Sequence, residues 1–353
     1  MFTPKNKIVL LGNSSAHYTL SVARAFRSNG FECAAFEYID PPRSIHHRLL
    51  RAALPKRMWQ HYLDDRQERL LREVTKASQN ASCLVVIKSD PIPVERMQQL
   101  KAELGCPLVT WFMDSFTELE RGMDRARLSD YLFFFEGGDR EALQKAGVRC
   151  RHIFLAYDEV WYHPLDQISR SIDLSFVGQL YPNRNEFLNE LSFRLQKGKF
   201  KCRFYGAFVQ FRRPWNLVAL SRRFPCAMSN LRHKHHLEHE QINRINASSK
   251  IALNVFRSRH QYSLNMRAFE TCGSGCFQLI QAKPAVSECF RVGRDVETFS
   301  TPEEAADKVR FYVANNESRE RIARSGLQRA REMHTMRTRV HEMVGVLKDD
   351  GLL

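Results

Sequence analysis

The sequence has no apolar run approaching the ~20 residues that a membrane-spanning helix needs. Its longest such stretches, CLVVI at 83–87 and YLFFF at 131–135, have the length of buried strands. It has no paired cysteine spacing. Nine cysteines lie scattered through 353 residues, which argues against a disulfide framework and for free thiols in a cytosolic protein. The opening MFTPKNKIVLLGNSS carries only a four-residue apolar run, IVLL, so no secretory leader is expected. Acid is missing from two stretches. Pro41 to Leu63 holds Arg43, Arg48, Arg51, Lys56 and Arg57 with no Asp or Glu, and Leu191 to Leu237 holds eleven Lys or Arg with none. A G-x-G-x-x-G fingerprint is also missing, so a dinucleotide site is not supported.

What is present is a core. Apolar residues make up 43% of the chain, and at roughly 100–200 residues per domain the length suggests two domains. The net charge is +15, of which residues 1–165 carry only +3, from 23 Lys or Arg against 20 Asp or Glu. A field of one sign draws anionic partners: nucleic acid, anionic lipid or phosphorylated sugars. A basic, soluble surface is the competing reading.

The order of elements defines the fold class. NKIVLL reads as a buried strand, LSVARAFRSNG as a helix stopped by Gly30, and ECAAFEY as a second strand. Residues 45–78 read as mostly helical. SCLVVIKSD, PLVTWFMD, YLFFFEG and RHIFLAY read as strands, with helices at PVERMQQLKAELG and DREALQKAG. The pattern then restarts. IDLSFVGQ, KCRFYG, KIALNVF, CFQLI and DVETFS read as strands, interleaved with helices at RNEFLNELSFRLQKG, HEQINRINASS and NMRAFETCG. Thr301 is a good N-cap, with Pro302 at the first helical position and Glu304 three after the cap. Two long helices close the chain. Strands alternating with helices imply parallel sheets covered on both faces. The chain therefore reads as two α/β domains with a boundary near Pro164–Ser171.

In such sheets ligands bind beyond the carboxyl ends of the strands. Three strand-end stretches stand out. LLGNSS places Gly12 where backbone N–H groups face an anion, or where the chain makes a plain tight turn. FVGQLYPNR repeats that layout with Gly178, and Arg184 sits at the next helix start, where it could hold a diphosphate or simply face solvent. LNMRAFETCGSGCF puts Arg267 and Glu270 on one helix face at i, i+3, next to Gly273, Gly275 and the strand CFQLI. A surface ion pair there would contribute only ~0–1 kcal/mol. A carboxylate in that place accepts two hydrogen bonds from a ribose diol, and an Arg neutralises phosphate.

NASSKIALNVFRS, NMRAFETCGSGCFQLI, RVGRDVETFSTPEEAADKVRFYVANNESRERIARSGLQRA and HTMRTR together resemble the C-terminal half of group 1 glycosyltransferases. The most similar set is the CgeB-like, spore-maturation type. DLSFVGQLYPNR and RFYG fit the same family, and WFMD and FLAYDEVWYHP fit more loosely. The resemblance implies the GT-B fold: two Rossmann-like domains facing a cleft, with a last helix crossing back. It implies an acceptor-binding domain over 1–165, a nucleotide-sugar-binding domain over 166–330, and a C-terminal helix over 331–353. It also implies transfer from a nucleotide-diphosphate sugar without metal or other cofactor. Donor-binding residues by this likeness are Gly12, Gly178, Arg184, Tyr205, Gly206, Asn265, Arg267, Glu270 and Gly275. Glu270 matches the second Glu of a Glu-x7-Glu motif, Asn265 and Arg267 an N-x-R-x-F-E variant, and Tyr262 replaces the first Glu. If the transfer inverts configuration, Asp114 or His17 is the candidate base.

Two features lie outside that scheme. Residues 200–224 interleave Arg and Lys with Phe, Tyr and Trp. This suits an inner-membrane surface with a lipid-linked or glycan acceptor, a nucleic-acid partner, or an ordinary core with a basic surface. HKHHLEHE at 233–240 offers His235/His239 and His236/Glu240 at i, i+4 for a metal, without an evident third ligand. A solvated helix start is the better reading. A nucleotide-binding module without catalysis and a transferase acting on nucleic-acid bases are the alternatives to glycosyl transfer.

Overall fold

The computed structural model describes residues 6–13, 18–38, 52–89, 91–206, 214–233, 237–257 and 262–353, the side chains of 214–217 and 233 excepted. The chain divides into two compact units: residues 1–154 with 336–353, and residues 155–335.

In unit 1 the order is β1 (Lys7–Asn13), α1 (Tyr18–Ser28), β2 (Glu32–Tyr38), α2 (Lys56–Ser78), β3 (Cys83–Ile87), α3 (Val94–Glu103), β4 (Leu108–Phe112), α4 (Gly122–Leu128), β5 (Tyr131–Phe134), α5 (Arg140–Lys145) and β6 (Cys150–His152). The sheet runs β2-β1-β3-β4-β5-β6, and every pairing is parallel. Every residue of β3, β4 and β5 is buried, as strands covered on both faces require. That is why they appear in the sequence as unbroken apolar runs.

Unit 2 holds β7 (Ile172–Val177), α6 (Pro182–Leu195), β8 (Cys202–Tyr205), α7 (Pro214–Arg223), α8 (Pro225–Asn230), β9 (Leu231–His233), α9 (His239–Ala247), β10 (Ser249–Asn254), α10 (Met266–Gly273), β11 (Phe277–Gln281), α11 (Pro284–Cys289), β12 (Glu297–Phe299), α12 (Pro302–Ala314) and α13 (Asn316–Met333). Its sheet runs β12-β11-β10-β7-β8-β9, again with parallel pairings. Leu174, Phe176, Phe204, Leu253, Phe277 and Leu279 form its core with Leu188 and Val309 from the flanking helices. Thr301 caps α12 by accepting from the Glu304 N–H at 3.2 Å.

Residues 336–353 return to unit 1 as α14 (Met336–Asp349). Its buried face is Met336, Val340, Met343, Val344 and Leu347. Asn29, just past α1, donates to the Arg337 carbonyl at 3.2 Å and bonds His341 Nδ1 at 3.0 Å.

RHIFLAY is a strand only at Cys150–His152; beyond it Tyr157 makes one isolated bridge to Thr335. Ile153, Leu155, Ala156 and Tyr157 are all buried, so their apolar character records burial rather than strand pairing. The helices α4, α7, α8 and α11 and the short strand β9 carry too weak a periodicity to be read from the sequence.

Both sheets have one topological switch point, where successive strands change from one direction of growth to the other. In unit 1 it lies between β1 and β3, and in unit 2 between β7 and β10. The carboxyl ends of these strands are where an open parallel sheet forms its ligand crevice.

Candidate functional site

The site of unit 2 is built at the β7/β10 switch point. Gly178 follows β7, and Arg184 sits in the first turn of α6, which Pro182 opens. Arg184 is only 7% exposed. Its Nε donates to the Val255 carbonyl at 2.8 Å and its Nη1 to the Gln179 carbonyl at 2.9 Å. The guanidinium therefore ties the loop after β7 to the end of β10. Burial pulls its pKa down to about 10. Tyr181 opposes that shift, while the charges of Arg257 and Arg267 add to it. Three guanidinium groups thus share one region, and Arg257 also lies over the Tyr181 ring, 4.6 Å from its centroid. Like charges gathered at the end of a parallel sheet favour an anion between them.

Glycines bring the neighbouring loops close. A Cβ at Gly206 would stand 1.8 Å from the Gly178 carbonyl oxygen. The Gly178 N–H donates to the Tyr205 carbonyl at 3.0 Å. Tyr205 and Gly206, at the end of β8, therefore abut the loop after β7.

The α10 segment supplies the charged pair. Asn265 is its N-cap and accepts from the Ala268 N–H at 3.2 Å. The Asn254 and Asn265 side-chain amides bond each other reciprocally at 2.9 Å, which joins the end of β10 to the start of α10. Gln278 on β11 donates to the Arg267 and Ala268 carbonyls at 3.0 and 3.2 Å. Every residue from Ala268 to Gly273 is buried. Gly273 has to be glycine, because a Cβ there would meet the Tyr157 ring at 2.4 Å. Gly275 turns the chain into β11 with φ at +72°, a left-handed conformation that glycine adopts readily.

Arg267 Nη1 pairs with Glu270 Oε2. This is no surface pair: Glu270 is 3% exposed, and the Arg267 side chain 27%. A carboxylate so placed must be paired and hydrogen-bonded. Arg267 Nη1 also donates to Tyr162 Oη at 3.3 Å, and that phenol bonds His239 Nδ1 at 2.7 Å. Burial, then the charge of Glu270, pushes the Tyr162 phenol far above its usual range.

Residues 184–345 match the family described as "Glycosyl transferase-like". The match begins at Arg184 and takes in the whole of α10. Among curated proteins none matches the sequence significantly. Solved structures match over nearly the whole chain. Sucrose-phosphate synthase from Thermosynechococcus elongatus has a TM-score of 0.66 at 10% identity, covering 98% of both chains. The HepE protein of Anabaena, solved with UDP and glucose, has a TM-score of 0.66 at 12% identity, covering 97% of this chain and 99% of its own. A glycosyltransferase from Rickettsia africae has a TM-score of 0.67 at 9% identity, covering 98% and 99%. The fold is that of the GT-B glycosyltransferases.

Gly12 is the next-to-last residue of β1, where a Cβ would lie 2.4 Å from Thr19 Oγ1, so the glycine admits the first turn of α1 against the strand. His17 lies outside the described residues, as do His235 and His236. Asp114, past β4, pairs with Lys88 Nζ at 2.6 Å and is 28% exposed. Lys88 follows β3 with φ at +51°, a strained backbone for a residue with a Cβ. Tyr262, 53% exposed, stands eight positions before Glu270. Among the described residues no cluster of three His, Cys, Asp or Glu could hold a metal ion, and His239 is engaged with Tyr162. No described helix is long and apolar enough to cross a membrane.

The sequence alone does not single out Arg257, Tyr162 or Gln278, and it reads His239 as part of a solvated helix start or, less favoured, as half of a metal pair. Arg257 was within reach, since it lies three residues past β10, at a strand end. The Tyr162–His239 contact spans 77 positions and leaves no local signal.

Proposed function

We propose that this chain is a glycosyltransferase that moves a sugar from a nucleoside-diphosphate sugar to an acceptor hydroxyl, with unit 2 binding the donor. One observation carries the reading. A buried carboxylate, Glu270, pairs with Arg267, and the charges of Arg267 and Arg257 bear on Arg184 at the sheet's switch point, inside the segment that is glycosyl transferase-like. Glu270 accepts hydrogen bonds from the ribose diol. Arg267 and Arg257 neutralise the diphosphate, whose negative charge grows as the glycosidic bond breaks. Side-chain cations serve here in place of a divalent metal. Arg184 gives two of its nitrogens to chain carbonyls and shapes the loop that borders the phosphates, while Gly178, Tyr205 and Gly206 set the spacing of that border.

Unit 1 binds the acceptor in this reading: a cell-surface glycan, a lipid-linked sugar or a protein at the cytoplasmic face of the membrane. The CgeB-like set is the subgroup proposed. Asp114, oriented by Lys88, is the base if the anomeric configuration inverts, with His17 the other candidate. The test is calorimetric titration with UDP, GDP and ADP. One of the three binds the wild type, and Glu270→Ala weakens that binding at least tenfold, as expected when hydrogen bonds to a charged group are lost. Binding of none, or equal binding by the variant, overturns the reading.

Tyr262 in place of a first Glu favours a second reading, a nucleotide-binding module without catalysis. Slow hydrolysis of any nucleotide sugar by the purified protein would eliminate it.

A further inference from the structure

Arg267 lies in the first turn of α10 and carries one of the most rotamer-rich side chains. Its Nη1 is shared by two partners, Glu270 Oε2 and Tyr162 Oη. In the donor-binding reading above, on which this inference rests, ribose hydroxyls draw on the Glu270 carboxylate. The phenol then remains to hold the guanidinium in place.

The phenol is itself held fast. Tyr162 is 1% exposed. Its ring stands edge-on to His239 at 5.4 Å, and Trp161 stacks on the same imidazole at 5.7 Å. The loop bearing both aromatics is pinned at each end. The Tyr162 N–H donates to the Asp158 carbonyl at 3.0 Å, and Asn243 Nδ2 on α9 donates to the His163 carbonyl at 2.9 Å. His239 is the first residue of α9 and Asn243 lies one turn later, so one helix face fixes the loop at two points. From His239 through Tyr162 to Arg267 runs a chain of hydrogen bonds ending on the charged pair.

We infer that Tyr162, seated by His239, is a positioning residue that aims the Arg267 guanidinium at the donor's phosphates. Tyr162 touches no reacting atom. It cuts the ordering that Arg267 must undergo when the anion arrives, so affinity is gained through preorganisation.

The experiment is a double-mutant cycle read by calorimetry, with whichever of UDP, GDP and ADP the wild type binds. Tyr162→Phe keeps the ring and removes only the hydroxyl. It is expected to weaken nucleotide binding about fivefold, the effect of one lost hydrogen bond. The free protein's melting temperature should shift by no more than about 4 °C. In an Arg267→Ala background the same change has no further effect, because the group it positions is gone. A second pair works at the other end of the chain. His239→Asn keeps a polar atom near the Nδ1 position and retains affinity within about twofold, whereas His239→Leu behaves like Tyr162→Phe. Unchanged affinity in Tyr162→Phe, or a loss that persists in the Arg267→Ala background, overturns the inference while leaving the donor site standing. Failure of the wild type to bind any of the three nucleotides overturns the donor reading and this inference with it.

Discussion

A single hydrogen at position 206 lets two loops of unit 2 meet. The 1.8 Å separation between a hypothetical Cβ and the Gly178 carbonyl oxygen leaves no rotamer to escape into, because the obstacle is backbone. Gly206→Ala should therefore destabilise the protein by about 1–3 kcal/mol, in the range of overpacked sites. Gly345, on the exposed side of α14 with nothing within 4 Å of its Cβ position, makes the control. Replacing it with Ala should be neutral or add up to about 1 kcal/mol. Paired thermal melts check both. At this scale the sequence is legible where partners are local. Arg267 and Glu270 declare themselves by i, i+3 spacing, and Asn265 by its likeness to the N-x-R-x-F-E variant. The burial that makes Glu270 unusual, and the third partner Tyr162, come from elements far apart in the chain.

The loop between α11 and β12 and the helix α13 illustrate the element scale. Asp295 is buried and accepts from Arg291 Nε and Nη2 at 2.8 and 2.9 Å, from the Arg291 N–H at 3.0 Å, and from Ser325 Oγ on α13 at 2.6 Å. Burial alone would raise its pKa, but the hydrogen bonds from Arg291 and Ser325 outweigh it and the net shift is downward. A carboxyl depressed in the folded state stabilises the fold above its unfolded pKa of about 3.9 and loses that contribution as pH falls through the lower folded value. The wild type's advantage over Asp295→Asn should thus be full at pH 6 and shrink below about pH 4. Melting temperatures from pH 6 to 3 check this, and a constant gap would contradict it. Elements themselves were readable to the extent that their faces are uniform. β3, β4 and β5 are buried throughout and stood out, whereas β9 and α11 are short and mark no period. The sheet order explains why the site was only half visible. The carboxyl ends of all strands were suspects, and only the order β11-β10-β7-β8 singles out the ends of β7 and β10.

For the molecule as a whole, the division into units is not collinear with the chain. Residues 155–335 form unit 2 without interruption, while unit 1 needs both 1–154 and 336–353. Ending the chain at Thr335 should therefore harm unit 1 alone. It strips Val340, Met343, Val344 and Leu347 from the interior and the partners of Asn29 from the end of α1. Limited proteolysis followed by mass spectrometry should show cleavage spreading through residues 18–152 while 155–335 stays protected. Equal protection of both units would refute it.

The same arrangement sets an order of events at the ribosome. Unit 1 is the first to leave the exit tunnel and the last to be completed. Its α1 has to wait, without the helix that packs against it, until translation has passed through every codon of unit 2. The middle of the polypeptide can reach its native state while the beginning is still unfinished.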